Sequence, residues 1–566
     1  MRWGVKNHDR VRAGVFQITL FKLGVPDIIF SVKYLHLISP ANSRGPECLP
    51  MRLDSFPRLF FVWQIAVFAV CTLIMGVSLS HAVEPVASTA DHSKFDALKG
   101  PFETGPSVTK ACLSCHTEAA KQIHTTKHWT WQFRNEETGQ LLGKRNVVNN
   151  FCISTESNIG SCSTCHVGYG WTEREYDFTS EENVDCLVCH DTTATYSKKK
   201  VRFGGKRLDL AQVAQNVGPT SRATCGACHF KGGGGDAVKH GDLDPSMLVP
   251  DVFVDVHMDA DGLNFTCATC HATDSHAISG SRYTPNAEGA DSIVLKGIGK
   301  QDRASCQACH GDRPMHDEKL NDHTDKLACE VCHVPSFARG DFATKMWWDW
   351  STAGKLDENG KPFEIHNELG QEIYNSKKGD FEWGSDVTPE YVWFNGTVNY
   401  TLVGDSIDPD AVVPINRFAG AADDPNSRIW PVKVMRGKQP YDSKNNSLAY
   451  IHTTGKDGFW TTFDWEKSIQ MAMDAAGAPY SGEYGFVETS MMWPMAHMVA
   501  PAKDSLTCTD CHTQEGRLNS IEGVYLPGRD RWALMDFLGW GLAGLTLLGV
   551  LAHGLMRLVL SGKKEA

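Results

Sequence analysis

The sequence has little positive charge for its length. Lysine and arginine together number 55 against 67 aspartates and glutamates in 566 residues, which gives a formal net charge of −12 at pH 7. Such a chain repels phosphate backbones, so a nucleic acid is excluded as a partner. One stretch departs from this balance, because YSKKKVRFGGKR (196–207) carries six basic residues between Lys198 and Arg207. That stretch is either a solvated loop or a surface that attracts an anionic substrate or a redox partner.

Cysteines outside a repeated motif are also few. Of the 19 cysteines only Cys48, Cys71 and Cys152 stand alone, and the other 16 fall in eight CxxCH motifs. A single CxxCH would fit a zinc site, a redox dithiol or part of a disulfide framework. Eight copies, each with histidine in the fifth place, are typical of covalent haem c, in which two thioethers hold the macrocycle and the histidine is the proximal iron ligand. The predicted attachment cysteines and proximal histidines are Cys112, Cys115 and His116; Cys162, Cys165 and His166; Cys186, Cys189 and His190; Cys225, Cys228 and His229; Cys267, Cys270 and His271; Cys306, Cys309 and His310; Cys329, Cys332 and His333; and Cys508, Cys511 and His512.

The spacing of the motifs predicts the fold class. The first seven motifs begin at intervals of 50, 24, 39, 42, 39 and 23 residues, which leaves room for short helices and loops but little for a conventional protein core. We therefore expect a mainly α-helical multihaem cytochrome with much irregular structure, wrapped around a packed array of eight covalently bound haems c. The segment 341–500 has no motif and is rich in tryptophan, and we expect it to pack on the haem body as a long excursion.

Two apolar segments predict where the protein is located. From Met51 a short basic start, an apolar run and small residues at Ser80 and Ala82 indicate a secretory signal peptide. The 19 residues from Phe537 to Leu555 contain no Lys, Arg, Asp or Glu and are long enough to cross a bilayer as a helix. We therefore expect a protein on the periplasmic side of the inner membrane, held by one C-terminal transmembrane anchor. The predicted divisions are a mis-assigned upstream extension at 1–50 (or else a genuine N-terminal domain), the signal peptide at 51–82, the domain of haems one to seven at 83–340, the excursion at 341–500, the eighth-haem segment at 501–530 and the anchor at 531–560.

Histidines outside the motifs are more numerous than the distal iron positions to be filled. The region after the signal peptide has eleven of them before the anchor, enough to complete every iron as a bis-histidine haem. Any one lone histidine is more often a surface or core residue, but this surplus favours iron ligation for most of the set. The candidates are His92, His124, His128, His240, His257, His276, His316, His323, His366, His452 and His497.

One loop offers a different kind of ligand. Four consecutive glycines in CHFKGGGGDAVKHGDLD (228–244) permit unusual backbone angles and a close approach to a flat ring. They are followed by Asp236, Lys239 and His240. A neutral lysine amine can bind iron, and burial lowers the pKa of a lysine toward that neutral form. The alternative is a flexible surface loop with solvated charges.

This constellation resembles the octahaem tetrathionate reductases, a family of multihaem c-type cytochromes. The resemblance covers residues 100–515 and rests on the eight motifs, on Cys152 ahead of the second motif and on the spacing of Asp236 and Lys239 after the fourth. It implies that Lys239 is the distal ligand of the second haem, with His166 proximal, and that Asp236 and Cys152 line the same pocket. Related octahaem nitrite reductases carry a CxxCK motif, which this sequence lacks.

The resemblance implies a terminal reductase. Electrons would pass through bis-histidine haems to the lysine-ligated haem, where a small anion such as tetrathionate is reduced, with nitrite and hydroxylamine as further candidate substrates. Cys152 would form a covalent sulfur intermediate as a thiolate, although a lone cysteine is more often a small buried hydrophobe. The alternative function is a non-catalytic electron conduit in which every iron is fully ligated.

The anchor also suggests partners. It implies exchange of electrons with the membrane quinone system, through a cytochrome b or a quinol-oxidising subunit. His553 lies within the anchor and is a candidate ligand of a b-type haem shared with such a partner, or its side chain simply reaches the membrane surface.

Overall fold

The computed structural model describes residues 90–151, 154–199, 208–232, 235–280 and 304–561. The expected upstream extension, the expected signal peptide and Cys152 therefore lie outside the described residues. The described residues all belong to one compact unit.

Short helices carry the haem motifs. In most motifs the histidine amide bonds back to the carbonyl of the first cysteine, as in Cys112 to His116 at 2.9 Å, so one helical turn gathers the three residues on one side. Thr104 and Ser221 begin the two longest of these helices with capping boxes. The helices before the excursion are α1 (Gly105–Leu113), α2 (Ala119–His124), α3 (Lys127–Thr130), α4 (Ile159–Cys162), α5 (Leu187–His190), α6 (Leu210–Gln215), α7 (Arg222–His229), α8 (Cys267–Cys270), α9 (Gln307–His310), α10 (Glu318–His323) and α11 (Cys329–His333).

Three small hairpins connect these helices. The second of them is formed by the glycine-rich loop, in which Lys231 pairs with Asp236 and Gly232 with Gly235. The hairpin strands are β1 (Phe133–Arg134), β2 (Leu141–Leu142), β3 (Lys231–Gly232), β4 (Gly235–Asp236), β5 (Thr273–Asp274) and β6 (Ala277–Ile278).

The tryptophan-rich excursion is a β structure. Its strands are β7 (Thr344–Asp349), β8 (Glu364–His366), β9 (Glu372–Asn375), β10 (Gly379–Gly384), β11 (Glu390–Phe394), β12 (Val398–Tyr400), β13 (Val413–Pro414), β14 (Asn416–Phe418), β15 (Arg428–Asp442), β16 (Ser447–Leu448) and β17 (Tyr484–Pro494). Nine of them form one sheet in the order β13-β17-β15-β7-β10-β9-β8, with β11 and β16 also paired to β15, and β12 pairs with β14 in a separate sheet. The remaining helices are α12 (Phe459–Thr462), α13 (Trp465–Ala476), α14 (Cys508–Cys511) and α15 (Ala533–Ser561).

The expectation of a mainly α-helical fold is therefore not confirmed. Strand β15 is 15 residues long and is buried along most of its length, although Lys433, Gln439 and Asp442 are among its buried residues. Its sequence therefore shows neither a continuous apolar run nor the regular alternation that marks a half-exposed strand. The aromatic and β-branched residues of this segment favour strands over helices. A haem-filled core explains the short helices but does not extend to this part of the chain.

The sheet packs directly on the chain that leads into the second motif. Val148 and Phe151 belong to the same buried cluster as Trp348 and Trp493 of the sheet. Asn150 donates its side-chain amide to the Met435 carbonyl on β15 at 2.7 Å. The excursion thus helps to shape the surroundings of the second haem motif.

The C-terminal helix α15 is exposed along its whole length. Its 28 residues from Ala533 to Leu560 are long and apolar enough to cross a membrane, with a mean hydropathy of 1.7 over an 18-residue window.

Candidate haem centres and the lysine pocket

Five of the lone histidines lie opposite a motif histidine. The ring centroids in each pair are 6.0 to 6.4 Å apart. Two imidazoles that bind one iron from opposite faces, each about 2 Å from the metal, have centroids roughly 6 Å apart. The spacing therefore fits a haem iron between the rings. The pairs are His92 with His116 (6.4 Å), His128 with His229 (6.2 Å), His257 with His310 (6.1 Å), His497 with His271 (6.2 Å) and His323 with His512 (6.0 Å).

Two motif histidines, His190 and His271, have rings oriented so that Nε2 can bind an iron. His190 donates Nδ1–H to the Gly218 carbonyl at 2.8 Å, and His271 donates Nδ1–H to the Ser279 carbonyl at 2.9 Å. A backbone acceptor on Nδ1 fixes the ring and leaves Nε2 for the metal. Burial lowers the pKa of His229 to about 3, which keeps this ring in the neutral form that binds metals.

Two further lone histidines are placed in the haem region. The Nε2 atom of His124 is buried and has no hydrogen-bond partner among the described residues. A nitrogen that binds iron has the same surroundings, because the metal takes the place of a hydrogen-bond partner. His276 donates from Nδ1 to the Gln122 side chain at 2.8 Å. The pKa of His276 is lowered by burial and by the nearby rings of His190 and His116. Both residues thus fit the candidate ligand set.

The other four lone histidines are not brought opposite a motif histidine by any described contact. His240 stands edge-on to Trp493, with ring centroids 4.9 Å apart. His452 donates Nδ1–H to the Ser157 carbonyl at 2.6 Å and lines a surface cavity of about 580 Å³. His316 and His366 are exposed, the latter on strand β8.

Thiols of different motifs touch each other. None of the 16 motif cysteines is in a disulfide, so all of them are available for attachment to haem. The contacts join motif one to motif three, two to four, four to five and six to seven, so groups attached at these motifs are neighbours. The touching thiols are Cys112 with Cys186, Cys165 with Cys228, Cys225 with Cys267, and Cys306 with Cys329.

The histidine of the second motif is placed differently from the rest. His166 is fully buried and accepts a hydrogen bond at Nδ1 from the Gly168 amide at 3.1 Å. Its proton must then be on Nε2, which donates to the Trp129 carbonyl at 2.7 Å. Its ring lies among aromatic side chains, with Trp171 closest at 4.7 Å between centroids. Both ring nitrogens thus have backbone partners, and the proximal role that the CxxCH motif predicts for His166 stays a prediction.

Lys239 lies within electrostatic range of the second motif and also of His229 in the fourth. The pKa of the Cys165 thiol is lowered to about 5, mainly by contact with Cys228 and further by the ammonium of Lys144, with a smaller contribution from the ammonium of Lys239. That ammonium stands 5.3 Å from the centroid of the Trp493 ring. A side chain at Gly232 would place its Cβ only 3.0 Å from Cδ of Lys239, so the glycine leaves the space that the lysine stem occupies.

The chain just before Cys152 reaches the same tryptophan. The rings of Phe151 and Trp493 are 5.6 Å apart between centroids. Trp493 therefore lies against both Phe151 and Lys239. Sequence reasoning did not single out Trp493, because one tryptophan among 16 carries no positional signal.

Asp236 ends strand β4 three residues before Lys239. Its Oδ1 atom lies 3.2 Å from the ammonium of Lys231 across the hairpin. Asp242, which the sequence analysis passed over, is the more deeply buried carboxylate of this loop. It accepts hydrogen bonds from the amides of Ala496 (2.9 Å) and His497 (3.0 Å) and from Nδ1 of His497 (3.1 Å). Asp242 therefore orients a histidine that faces the motif histidine His271.

Comparison with known proteins identifies the family. The family described as cytochrome c bacterial matches residues 345–515. An uncharacterized protein of Archaeoglobus fulgidus is 25% identical over 263 residues, which is 36% of this chain and 85% of that protein. The crystal structure of an octahaem cytochrome c from Shewanella oneidensis is 43% identical, with a TM-score of 0.68 over 76% of this chain and 95% of that chain. The chain binds haem c covalently and belongs to the octahaem c-type cytochromes, as the resemblance of its motifs implied.

Proposed function

We propose that this cytochrome is a membrane-anchored periplasmic reductase with eight haems c, which reduces a small sulfur or nitrogen oxyanion at the second haem. The observation that carries the proposal is the position of Lys239, whose ammonium lies within electrostatic range of the Cys165 thiol and stands over the ring of Trp493, which also contacts Phe151 beside Cys152. With haem attached at Cys162 and Cys165, His166 would be its proximal ligand and Lys239 its distal one, as in the family that the motifs resemble. Substrate would bind where this lysine, a weaker ligand than imidazole, is displaced.

The histidine pairs supply this site with electrons. Each of the five pairs is proposed to complete a bis-histidine haem, a type that transfers electrons and offers no vacancy to substrate. His124 and His276 are proposed as further distal ligands, because one has an orphaned buried nitrogen and the other lies near His190. The touching thiols of neighbouring motifs support short transfer distances between successive haems.

Tetrathionate is the substrate we favour, because it gives the lone thiol a role. The thiolate of Cys152 attacks the central sulfur–sulfur bond, one thiosulfate leaves, and the second thiosulfate stays bound to Cys152 through a new sulfur–sulfur bond. Two electrons from the reductant, delivered one at a time through the haems that the motifs would hold, would then break that bond, release the second thiosulfate and restore the thiolate. Asp236 keeps the lysine oriented or handles protons.

The test is turnover of tetrathionate by the purified anchored protein with a reduced dye, beside Cys152→Ser. We expect the wild type to turn over and the variant to lose tetrathionate activity while it keeps its haem content. Equal turnover by the two proteins would refute the role of Cys152 and shift the substrate to nitrite or hydroxylamine, which are assayed in parallel. No turnover of any of the three compounds would refute the reductase.

The alternative function is an electron conduit between the membrane quinone system and periplasmic partners, and the five histidine pairs favour it. A conduit has every iron fully ligated, with His240 in place of Lys239 at the second haem. Such a protein gives only bis-histidine spectra and binds no small anion, which distinguishes it from the reductase.

A further inference from the structure

Four successive backbone carbonyls around Lys239 are bound by only two side chains. The Thr344 hydroxyl lies 2.5 Å from the carbonyl of Ala237 and 3.3 Å from that of His240. Lys433 donates from Nζ to the carbonyls of Val238 at 3.2 Å and Lys239 at 3.1 Å. Two neighbouring strands, β7 and β15, therefore hold the whole loop segment from 237 to 240.

Lys433 has no bonding capacity left after these contacts. An ammonium has three N–H donors, and the third one bonds Thr344 Oγ1 at 2.5 Å. The side chain is fully buried in strand β15, where the neighbours along the strand are the buried Val432 and Val434. Placing a lysine there costs burial energy, which two carbonyls and a hydroxyl offset. A residue selected for packing alone would be apolar, so the burial of Lys433 indicates that its hydrogen bonds to the loop are the reason for its position.

The loop also needs to be held. Ala237 has φ +55°, a left-handed conformation that an alanine rarely adopts. Backbone in such a conformation persists only where surrounding contacts determine it. Those contacts are the hydrogen bonds from Thr344 and Lys433 to the carbonyls of residues 237–240, the segment that contains Lys239.

We propose that Lys433 and Thr344 are positioning residues for Lys239: they fix the carbonyls of residues 237–240 and thereby aim the lysine amine at the second haem. The proposal rests on the proposed function, in which Lys239 is an axial ligand. It predicts that the sheet determines ligation at a haem whose attachment cysteines lie more than 250 residues away in sequence from Lys433. Neither residue touches the iron, so both act through the loop.

The test is the ferric electron paramagnetic resonance spectrum and the kcat/KM of the haem-loaded protein with Lys433→Met, which keeps the length of the side chain and removes its donors. We expect the lysine-ligated signal to be lost and kcat/KM to fall by roughly tenfold or more, as for other residues that orient a metal ligand. Lys345→Met is the matched control, because Lys345 is an equally buried lysine on β7 whose ammonium faces the rings of Phe381 and Trp348. The control should keep the signal.

Thr344 gives a second route if Lys433→Met fails to fold. Thr344→Val removes the hydroxyl and should weaken the lysine-ligated signal, whereas Thr344→Ser keeps the hydroxyl and should retain it. An unchanged signal and unchanged kcat/KM in both Lys433→Met and Thr344→Val would overturn the inference. Lys239→Leu separates this result from the proposed function: if that variant also keeps the signal, Lys239 is not a ligand and the proposed function fails with the inference.

Discussion

We expect the buried carboxylate of Asp242 to influence one haem, because its hydrogen-bond partner His497 faces the motif histidine His271. Asp242 accepts a hydrogen bond from Nδ1 of His497 at 3.1 Å, and the two rings lie 6.2 Å apart. Burial alone would raise the pKa of Asp242, but its bonds to His497 and to the Ala496 amide hold that pKa below its usual range. A carboxylate on Nδ1–H makes the imidazole a stronger donor, which favours ferric iron and lowers the reduction potential.

Asp242→Asn keeps the shape of the side chain and removes its charge. A hydrogen bond to a charged group contributes about 1.5–3 kcal/mol and a neutral one about 0.5–1.5 kcal/mol, so the variant loses about 1 kcal/mol at this ligand. If that loss falls on the ferric state, the potential of one haem rises by roughly 40 mV, since 59 mV corresponds to tenfold in a one-electron equilibrium. The assay is a potentiometric titration of the haem-loaded protein.

The matched control is Asp442→Asn. Asp442 is also a fully buried aspartate, and it accepts hydrogen bonds from Lys444, Asn445 and Ser481. The Asp442→Asn variant should leave the reduction potential of every haem unchanged. Unchanged potentials in a correctly loaded Asp242→Asn protein would refute the reasoning, because the carboxylate would then have no influence on the iron.

Three further predictions concern the sheet and the anchor. Burial lowers the pKa of Lys345 to about 6 from 10.5, so between these values the unfolded chain binds one more proton and the free energy of unfolding rises with pH. Lys345→Met should remove this slope of about 1.4 kcal/mol per pH unit, measured by denaturation at pH 7 and 9. An equal slope in both proteins would contradict the prediction. Trp493→Ala should lower the free energy of unfolding by about 3–5 kcal/mol, measured with denaturant, because Trp493 is fully buried; a loss below 1 kcal/mol, small for any core truncation, would contradict the packing. Truncation after Asp530 should release the protein from membranes with unchanged dye-driven turnover, and continued membrane association would show that α15 is not the anchor.

The covalent chemistry could be predicted from the sequence because it is local. Two cysteines and a histidine within five residues mark each attachment point, whatever the rest of the chain does. The lysine loop was also visible, since four glycines directly precede Asp236 and Lys239. Its partners were not visible, because Lys433 stands about 200 residues later as one of four basic residues in RIWPVKVMRGKQPYD (428–442), and nothing in that stretch distinguishes it.

The pairing of ligands needed the fold. His92 faces the nearby His116, but His497 faces His271 across more than 200 residues of sequence. The mainly α-helical expectation was drawn from the spacing of the motifs, which says nothing about a segment without motifs. The unusual state of His166 could not be predicted, because its motif reads like the other seven and only the backbone partners at Gly168 and Trp129 distinguish it.

The most direct test of the account is the ligation of the second haem. We would record the ferric electron paramagnetic resonance and near-infrared circular dichroism spectra of the wild type and of Lys239→Leu, where leucine is chosen because a methionine thioether can itself bind haem iron. The account predicts one amine-ligated haem beside bis-histidine haems in the wild type, and loss of that one signal in the variant. Only bis-histidine signals in the wild type, with an unchanged spectrum in the variant, would contradict the reductase and support the conduit.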